Sequence, residues 1–399
     1  MVRRSRLAKW CPSVIRGFDK GTRVADTRGR DKGEAMIVFE VTEEQEEFRQ
    51  ALRRFFQQKS QLTEVRRMMA TDDGYDAAVW KQMAEQLGLQ GLLIPERLGG
   101  SELTFVELAI VFEEMGSVLA CAPFFSTVAL AANALLASGG PVAEQHLPGI
   151  AAGTTIATVA MTDAERPTLA HRSGDGYSLD GSKRFVVDGC LADLLLVVAD
   201  LEGESVLFAL DAAATGLSRI AEPTLDRTRK LARLNFDAVP ATRVTAPGEG
   251  AAVLEKTVRL ATVALAAEQV GGAQACLDMA VAYAKDRVQF GRAIGSFQAV
   301  KHLCADTLLE VESARSAASY AAWAVAEGSE DQQMVAEIAK AAASEAFLLA
   351  ATNNLQIHGG IGFTWEVDCH LYLRRAKSSE AFFGTPIEHR ESVAAKLGL

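Results

Sequence analysis

Arg287-Val288-Gln289-Phe290-Gly291-Arg292-Ala293-Ile294-Gly295-Ser296-Phe297-Gln298 is the stretch whose reading decides the fold. Long alanine-rich runs flank it, 251–285 before and 297–327 after, and a third run covers 331–357. Gly291 and Gly295 let the chain bend between helices, because glycine enters backbone regions closed to other residues. Arg287 and Arg292 carry planar donor forks that suit phosphate, and Phe290 offers a face to a flat ring. The third run ends in Gln356-Ile357-His358-Gly359-Gly360-Ile361-Gly362-Phe363, where clustered glycines allow a ligand to approach the backbone. Either stretch alone reads equally well as a plain interhelical turn. Three or four long helices with short loops predict an antiparallel bundle over 249–399.

Working upstream, segment 153–248 changes character. Thr154–Thr162, Phe185-Val186-Val187, Leu194–Val198 and Val206–Leu210 are β-type runs, and Tyr177–Gly181 reads as a strand entering a turn. Short strands without intervening helical patterns predict a small antiparallel barrel or sandwich. Segment 36–152 is helical again. Thr42 with Gln45 fits a capping box, and Phe48, Leu52, Phe55 and Phe56 form one apolar stripe. The expected fold class is α+β and mostly helical: an N-terminal helical domain (36–152), a middle β domain (153–248) and a C-terminal four-helix bundle (249–399). Residues 1–35 hold several arginines in a stretch without an apolar core and are expected to be a disordered extension ahead of Met36.

Composition narrows the function. A net charge of −10 opposes nucleic-acid binding, because a phosphate backbone requires a basic face. Met115–Ala143 lacks charge, but Pro123, Asn133 and several hydroxyl residues interrupt it, so two buried helices are expected and no membrane span. Six scattered cysteines without a C-x-x-C pair indicate free thiols and a cytoplasmic, reducing location. No metal site, P-loop, G-x-S-x-G or H-E-x-x-H signature is present.

The R-x-x-F-G-x-x-I-x-x-F-Q run followed by Q-I-H-G-G-x-G-F resembles the acyl-CoA dehydrogenase family. Trp80 with Gly88, Pro95-Glu96-x-x-Gly99-Gly100, Arg374-x-Ala376-Lys377 and the domain order match the same pattern. The resemblance implies an FAD flavoprotein that dehydrogenates an acyl-CoA thioester to an enoyl-CoA. It also implies a homo- or heterotetramer that passes electrons to an electron-transferring flavoprotein. By position, Arg287, Phe290, Ile294, Gln298, Gln356 and Gly360 are expected at the ADP half of a neighbouring subunit's FAD, and Thr385 also at the cofactor. Met161 and Thr162, with Phe185 and Val187, are expected beside the flavin ring, although Asp163-Ala164 replaces Glu-Pro and Val187 lacks a hydroxyl.

The resemblance breaks at the catalytic base. Family members often carry R-x-A-K-x-x-x-x-Y-E-G-T, with the glutamate as base; here Phe383 takes its place. The alternative familial position, on the first long bundle helix, is Ala261, beside Thr262. Phenylalanine cannot accept a proton, whereas its backbone N–H can still bind a thioester carbonyl. Three readings stay open. A partner subunit supplies the base in a heteromer; another carboxylate, Glu380 or Glu268, serves; or the chain is a non-catalytic acyl-CoA- and FAD-binding subunit. An acyl-CoA oxidase shares the expected fold.

Overall fold

The computed structural model describes residues 42–174 and 176–399. The expectation for 1–35 lies outside the described residues.

The N-terminal helices are α1 (Glu43–Lys59), α2 (Leu62–Met69), α3 (Ala77–Glu85) and α4 (Phe105–Ser117). Thr42 and Gln45 cap α1 reciprocally, and Leu52 and Phe56 from its apolar stripe are buried. Thr104 and Glu107 form a second capping box at α4. The uncharged stretch is buried as expected. Phe125–Ala132 winds as a π-helix and continues into α5 (Asn133–Ser138), followed by α6 (Gly140–Ala151). Wide π turns are rare and cluster at functional sites. Among the described residues no helix is long and apolar enough to cross a membrane.

Seven strands follow: β1 (Ala157–Ala160), β2 (Leu169–Ser173), β3 (Gly176–Val187), β4 (Leu194–Leu201), β5 (Glu204–Asp211), β6 (Leu217–Glu222) and β7 (Leu231–Arg243). They form one mostly antiparallel sheet in which β1 runs parallel to β4. β4 pairs with β5, and β5 reaches β7 at Phe208 and Ala209, so the sheet closes on itself. Tyr177–Gly181 does not enter a turn. β3 runs on through Phe185 and Val187, and register shifts at Leu179/Gly181 and Lys183/Val186 absorb its irregularities. Such bulges bend a strand and re-aim its side chains, which explains why one strand reads as two in sequence. β2, β6 and β7 are polar-faced strands that hydrophobic runs alone do not reveal.

The last segment holds α7 (Gly250–Asp286), the hairpin β8 (Val288–Gln289) and β9 (Arg292–Ala293), then α8 (Gln298–Glu327) and α9 (Gln332–His358). Two shorter helices, α10 (Cys369–Ala381) and α11 (Pro386–Lys396), finish the chain. α4 crosses α7 at backbone contact. A Cβ on Gly116 would lie 2.0 Å from the Glu268 carbonyl oxygen, and one on Gly271 would lie 1.9 Å from that of Glu113. Only glycine tolerates that approach.

Candidate functional site

At the end of the bundle the two glycine-rich stretches come together. Ile294 packs beside Ile357, Ala280 and Ala284, and the Tyr283 and His358 rings stack 4.0 Å apart. The hairpin turns through Phe290 (φ 54°) and Gly291 (φ 77°). Two positive φ values match the right-handed twist of paired strands, but they are uncommon for a bulky residue. Phe290 is 84% exposed, and Arg287, Gln298, Gln356 and Gly360 also face outward.

The glycines of the second stretch differ in purpose. Gly359 has φ 65°, and a Cβ on Gly362 would crowd the Leu355 carbonyl at 2.9 Å. A Cβ on Gly360 would meet nothing in the chain. Its bare backbone therefore serves no internal packing and leaves a surface that a ligand can approach. After this stretch lies a concavity of about 270 Å³, whose lining includes Leu355, Phe363, Trp365, His370, Arg374 and Lys377. The Arg374 guanidinium lies 5.1 Å from the Trp365 ring. Both His370 nitrogens are buried without a partner among the described residues. An exposed aromatic face, the Arg374 cation and the unpartnered imidazole suit a flat, anionic dinucleotide.

On the barrel, Met161 and Thr162 are strapped to β3. The buried Lys183 ammonium donates to the Met161 carbonyl at 3.0 Å and to Asp163 at 2.6 Å, and the Arg184 N–H donates to the Thr162 carbonyl. Burial pulls the Lys183 ammonium downward, and Asp163 opposes it. Asp163, the departure from the familial Glu-Pro, is thus committed to anchoring this segment. Phe185 stands on the surface, 48% exposed with φ 56°, its N–H donating to Glu222. Val187 is buried, and its carbonyl accepts from Thr158 at 2.6 Å. Phe185 is available to a ring; the Val187 side chain belongs to the core.

The turn after α10 carries the base position. Phe383 has φ 60° and Gly384 φ 111°. The Phe383 ring stacks on Phe125 at 6.1 Å, with the planes 27° apart. Its N–H has no acceptor among the described residues. Thr385 caps α11 in a capping box with Glu388. Behind Phe125 lies a buried ionic cluster. Arg229 sits 4.8 Å from the Phe125 ring and 5.9 Å from that of Phe382, and donates to Glu268 at 2.6 Å. Arg375 takes the other Glu268 oxygen and binds Asp226 at 2.6 Å and Thr228. The free space among Phe125, Asp188, Arg229 and Glu268 is about 20 Å³, roughly the room of one water.

These contacts define the carboxylates. Burial raises Glu268, but the charges of Arg229 and Arg375 outweigh it and hold the group below the usual range. With both oxygens bound and its affinity for protons lowered, Glu268 is poorly suited to accept one. Glu380 turns away to pair with Lys377 at 2.9 Å. Ala261 is fully buried, and the Thr262 hydroxyl donates to the Val258 carbonyl. Asp188 is the carboxylate that sequence reading missed. Burial pushes it up to about 6, against the lowering effect of the Ser126 hydroxyl, which donates to it at 2.6 Å. Its signal in the sequence was its place directly after Val187, inside a strand-like run.

Residues 42–154 match the acyl-CoA dehydrogenase N-terminal domain, and residues 248–398 match the C-terminal domain. Acyl-CoA dehydrogenase IpdE2 of Mycobacterium tuberculosis is 38% identical over 324 residues, covering 81% of this chain and 88% of that protein. The chain belongs to the acyl-CoA dehydrogenase family. IpdE2 of Mycolicibacterium smegmatis is 34% identical across 90% of this chain and 100% of its own length. The ChsE4-ChsE5 complex from Mycobacterium tuberculosis superposes with a TM-score of 0.84 at 28% identity, covering 91% of this chain and 99% of the matched one. Butyryl-CoA dehydrogenase from Megasphaera elsdenii gives 0.84 at 26% identity, covering 91% and 100%. FAD is the cofactor of this family, and the open Gly360 backbone, the outward arginines and the unpartnered His370 fit it.

Proposed function

We propose that this chain is the base-lacking subunit of a heteromeric, FAD-dependent acyl-CoA dehydrogenase that forms an enoyl-CoA from an acyl-CoA thioester in the cytoplasm. The observation that carries the reading is the Phe383 ring, stacked on Phe125 at the position where the familial base would stand. Neither familial base position holds a carboxylate, and Glu268 is neutralised by two arginines.

In this reading the chain contributes cofactor contacts and the partner subunit contributes the base. Bound FAD supplies the acceptor for the β-hydride and relays electrons to an electron-transferring flavoprotein. Arg287, Phe290, Gln298, Gln356 and Gly360 hold the ADP half across a subunit interface, with Ile294 fixing their hairpin. Met161, Thr162 and Phe185 border the ring, Val187 shapes the strand beneath it, and Thr385 meets the cofactor from the turn. The resemblance to the ChsE4-ChsE5 complex, a pairing of two different chains, supports a heteromer.

The test is anaerobic flavin bleaching with an acyl-CoA. The chain purified alone is expected to leave the flavin yellow, and the chain co-purified with a homologue that carries the familial glutamate is expected to bleach it. Bleaching by the chain alone would show that it has its own base and would remove the heteromer reading.

A further inference from the structure

Lys340, midway along α9, is fully buried, and its three donors are all engaged. They reach the Ser344 hydroxyl at 2.9 Å, the Glu380 carbonyl at 3.2 Å and the Gly384 carbonyl at 3.3 Å. None of these partners is a carboxylate. A buried ammonium without an anion is costly. What offsets the cost here is the end of α10, whose last carbonyls carry partial negative charge and lack helical partners. Glu380 and Gly384 bracket the turn that places Phe383 at positive φ, leaves its N–H free and leads directly into Thr385. One cation thus fixes both ends of a strained turn, beside the Glu388 carboxylate, which accepts from the Thr385 N–H.

We infer that Lys340 is a positioning residue: by gripping the Glu380 and Gly384 carbonyls, it holds the Phe383–Thr385 turn in the shape that meets FAD. The inference rests on the reading above that Thr385 touches the cofactor. Burial draws the Lys340 ammonium down to about 8, against the charge of Glu380. The ionisable groups around it are Glu380 from α10 and His389 from α11. Glu337 lies on α9 itself and is paired with Lys396, and α7 presents the uncharged Gln269 through Ser344. When the ammonium loses its proton, the grip on two carbonyls weakens.

The test is the FAD dissociation constant of the purified holoprotein, read by flavin fluorescence across the pH range. Affinity is expected to weaken about tenfold, the worth of a charge-assisted hydrogen bond, through a step centred on about pH 8. Lys340→Met is expected to bind weakly without the step. Ser344→Ala removes one acceptor from the ammonium, which lowers its pKa further, and is expected to move the step to lower pH. Folding stability provides a control of opposite sign. Between the folded value of about 8 and the usual 10.5, the unfolded chain holds the proton longer, so the stability of the apoprotein rises with pH while FAD affinity falls. A wild type with no step, or a step that stays in place in Ser344→Ala, would overturn the assignment. Wild-type protein that takes up no FAD at any pH would overturn the cofactor reading beneath it.

Discussion

At the end of the bundle, Arg287, Phe290, Gln356 and Gly360 face outward, and the neighbouring His370 keeps both ring nitrogens unpartnered. Behind Phe383 the arrangement is reversed. Arg229 and Arg375 hold Glu268, Arg375 also holds Asp226, and about 20 Å³ is left beside Phe125, Arg229, Glu268 and Arg375; among the described residues only Nη1 of Arg229 in this group lacks a hydrogen-bond partner. In the first region the arginines and the Gly360 backbone face the surface; in the second both carboxylates are committed to buried arginines. Chemical capacity in this fold therefore divides by region. The outer end of the bundle presents its arginines to the surface, and the buried cluster uses its charges as internal structure.

The comparison breaks most visibly at the ionic cluster. Arg375→Ala leaves Asp226 buried without its cation and Glu268 with Arg229 alone, and breaking such a pair costs about 3–5 kcal/mol. A large drop in the denaturation midpoint is expected, and an unchanged midpoint would mean the cluster is not structural. At the open end, Arg287→Ala should act on binding and not on folding. Losing a charged hydrogen bond is worth about 1.5–3 kcal/mol, so FAD affinity is expected to fall roughly tenfold or more while the midpoint holds; calorimetry with FAD reads both. Asp188 sharpens the closed side. Its folded pKa of about 6 lies above the usual 3.8, so the folded state holds the proton longer and stability falls as pH rises from 3.8 to 6. Asp188→Asn is expected to flatten that slope in urea titrations, and a persisting slope would assign it to another group. The smallest effect is Gly360→Ala. The added methyl meets nothing within the chain, so stability should change by less than about 0.5 kcal/mol while FAD affinity declines; equal affinity would show that nothing approaches that backbone.

Sequence reading performed best where information is local. The capping box of Thr42 and Gln45, the bend at Gly291 and the three long helices depend on residues within a turn or two of one another; that the bend is a two-stranded hairpin appears only in the structure. β3 shows the limit: its bulges at Leu179/Gly181 and Lys183/Val186 interrupt the alternation that would mark one strand. The ionic cluster shows a second limit. Asp226, Glu268 and Arg375 come from a strand connection and two helices far apart in the chain, and no spacing announces that they meet. Glu268 did carry a signal, a single charge within an alanine-rich run, and Lys340 is the one cation of its own run. That pattern indicates a buried charge, but it cannot say whether the partner is a substrate, an arginine or a helix end. Glu268 was therefore legible as a candidate base, and only its two arginines show what holds it.

The crossing of α4 and α7 at Gly116 and Gly271 governs how such a molecule can diverge. Its two backbones touch, and one of the touching carbonyls belongs to Glu268. Substitution at either glycine would force the helices apart and unseat that carboxylate with them. Substitution at 383 changes a side chain on a separate turn and leaves the crossing alone. Position 383 can therefore vary while the architecture stays intact. Freeing the Glu268 carboxylate is harder, because it would require coordinated changes across the three elements that bring Glu268, Arg229 and Arg375 together.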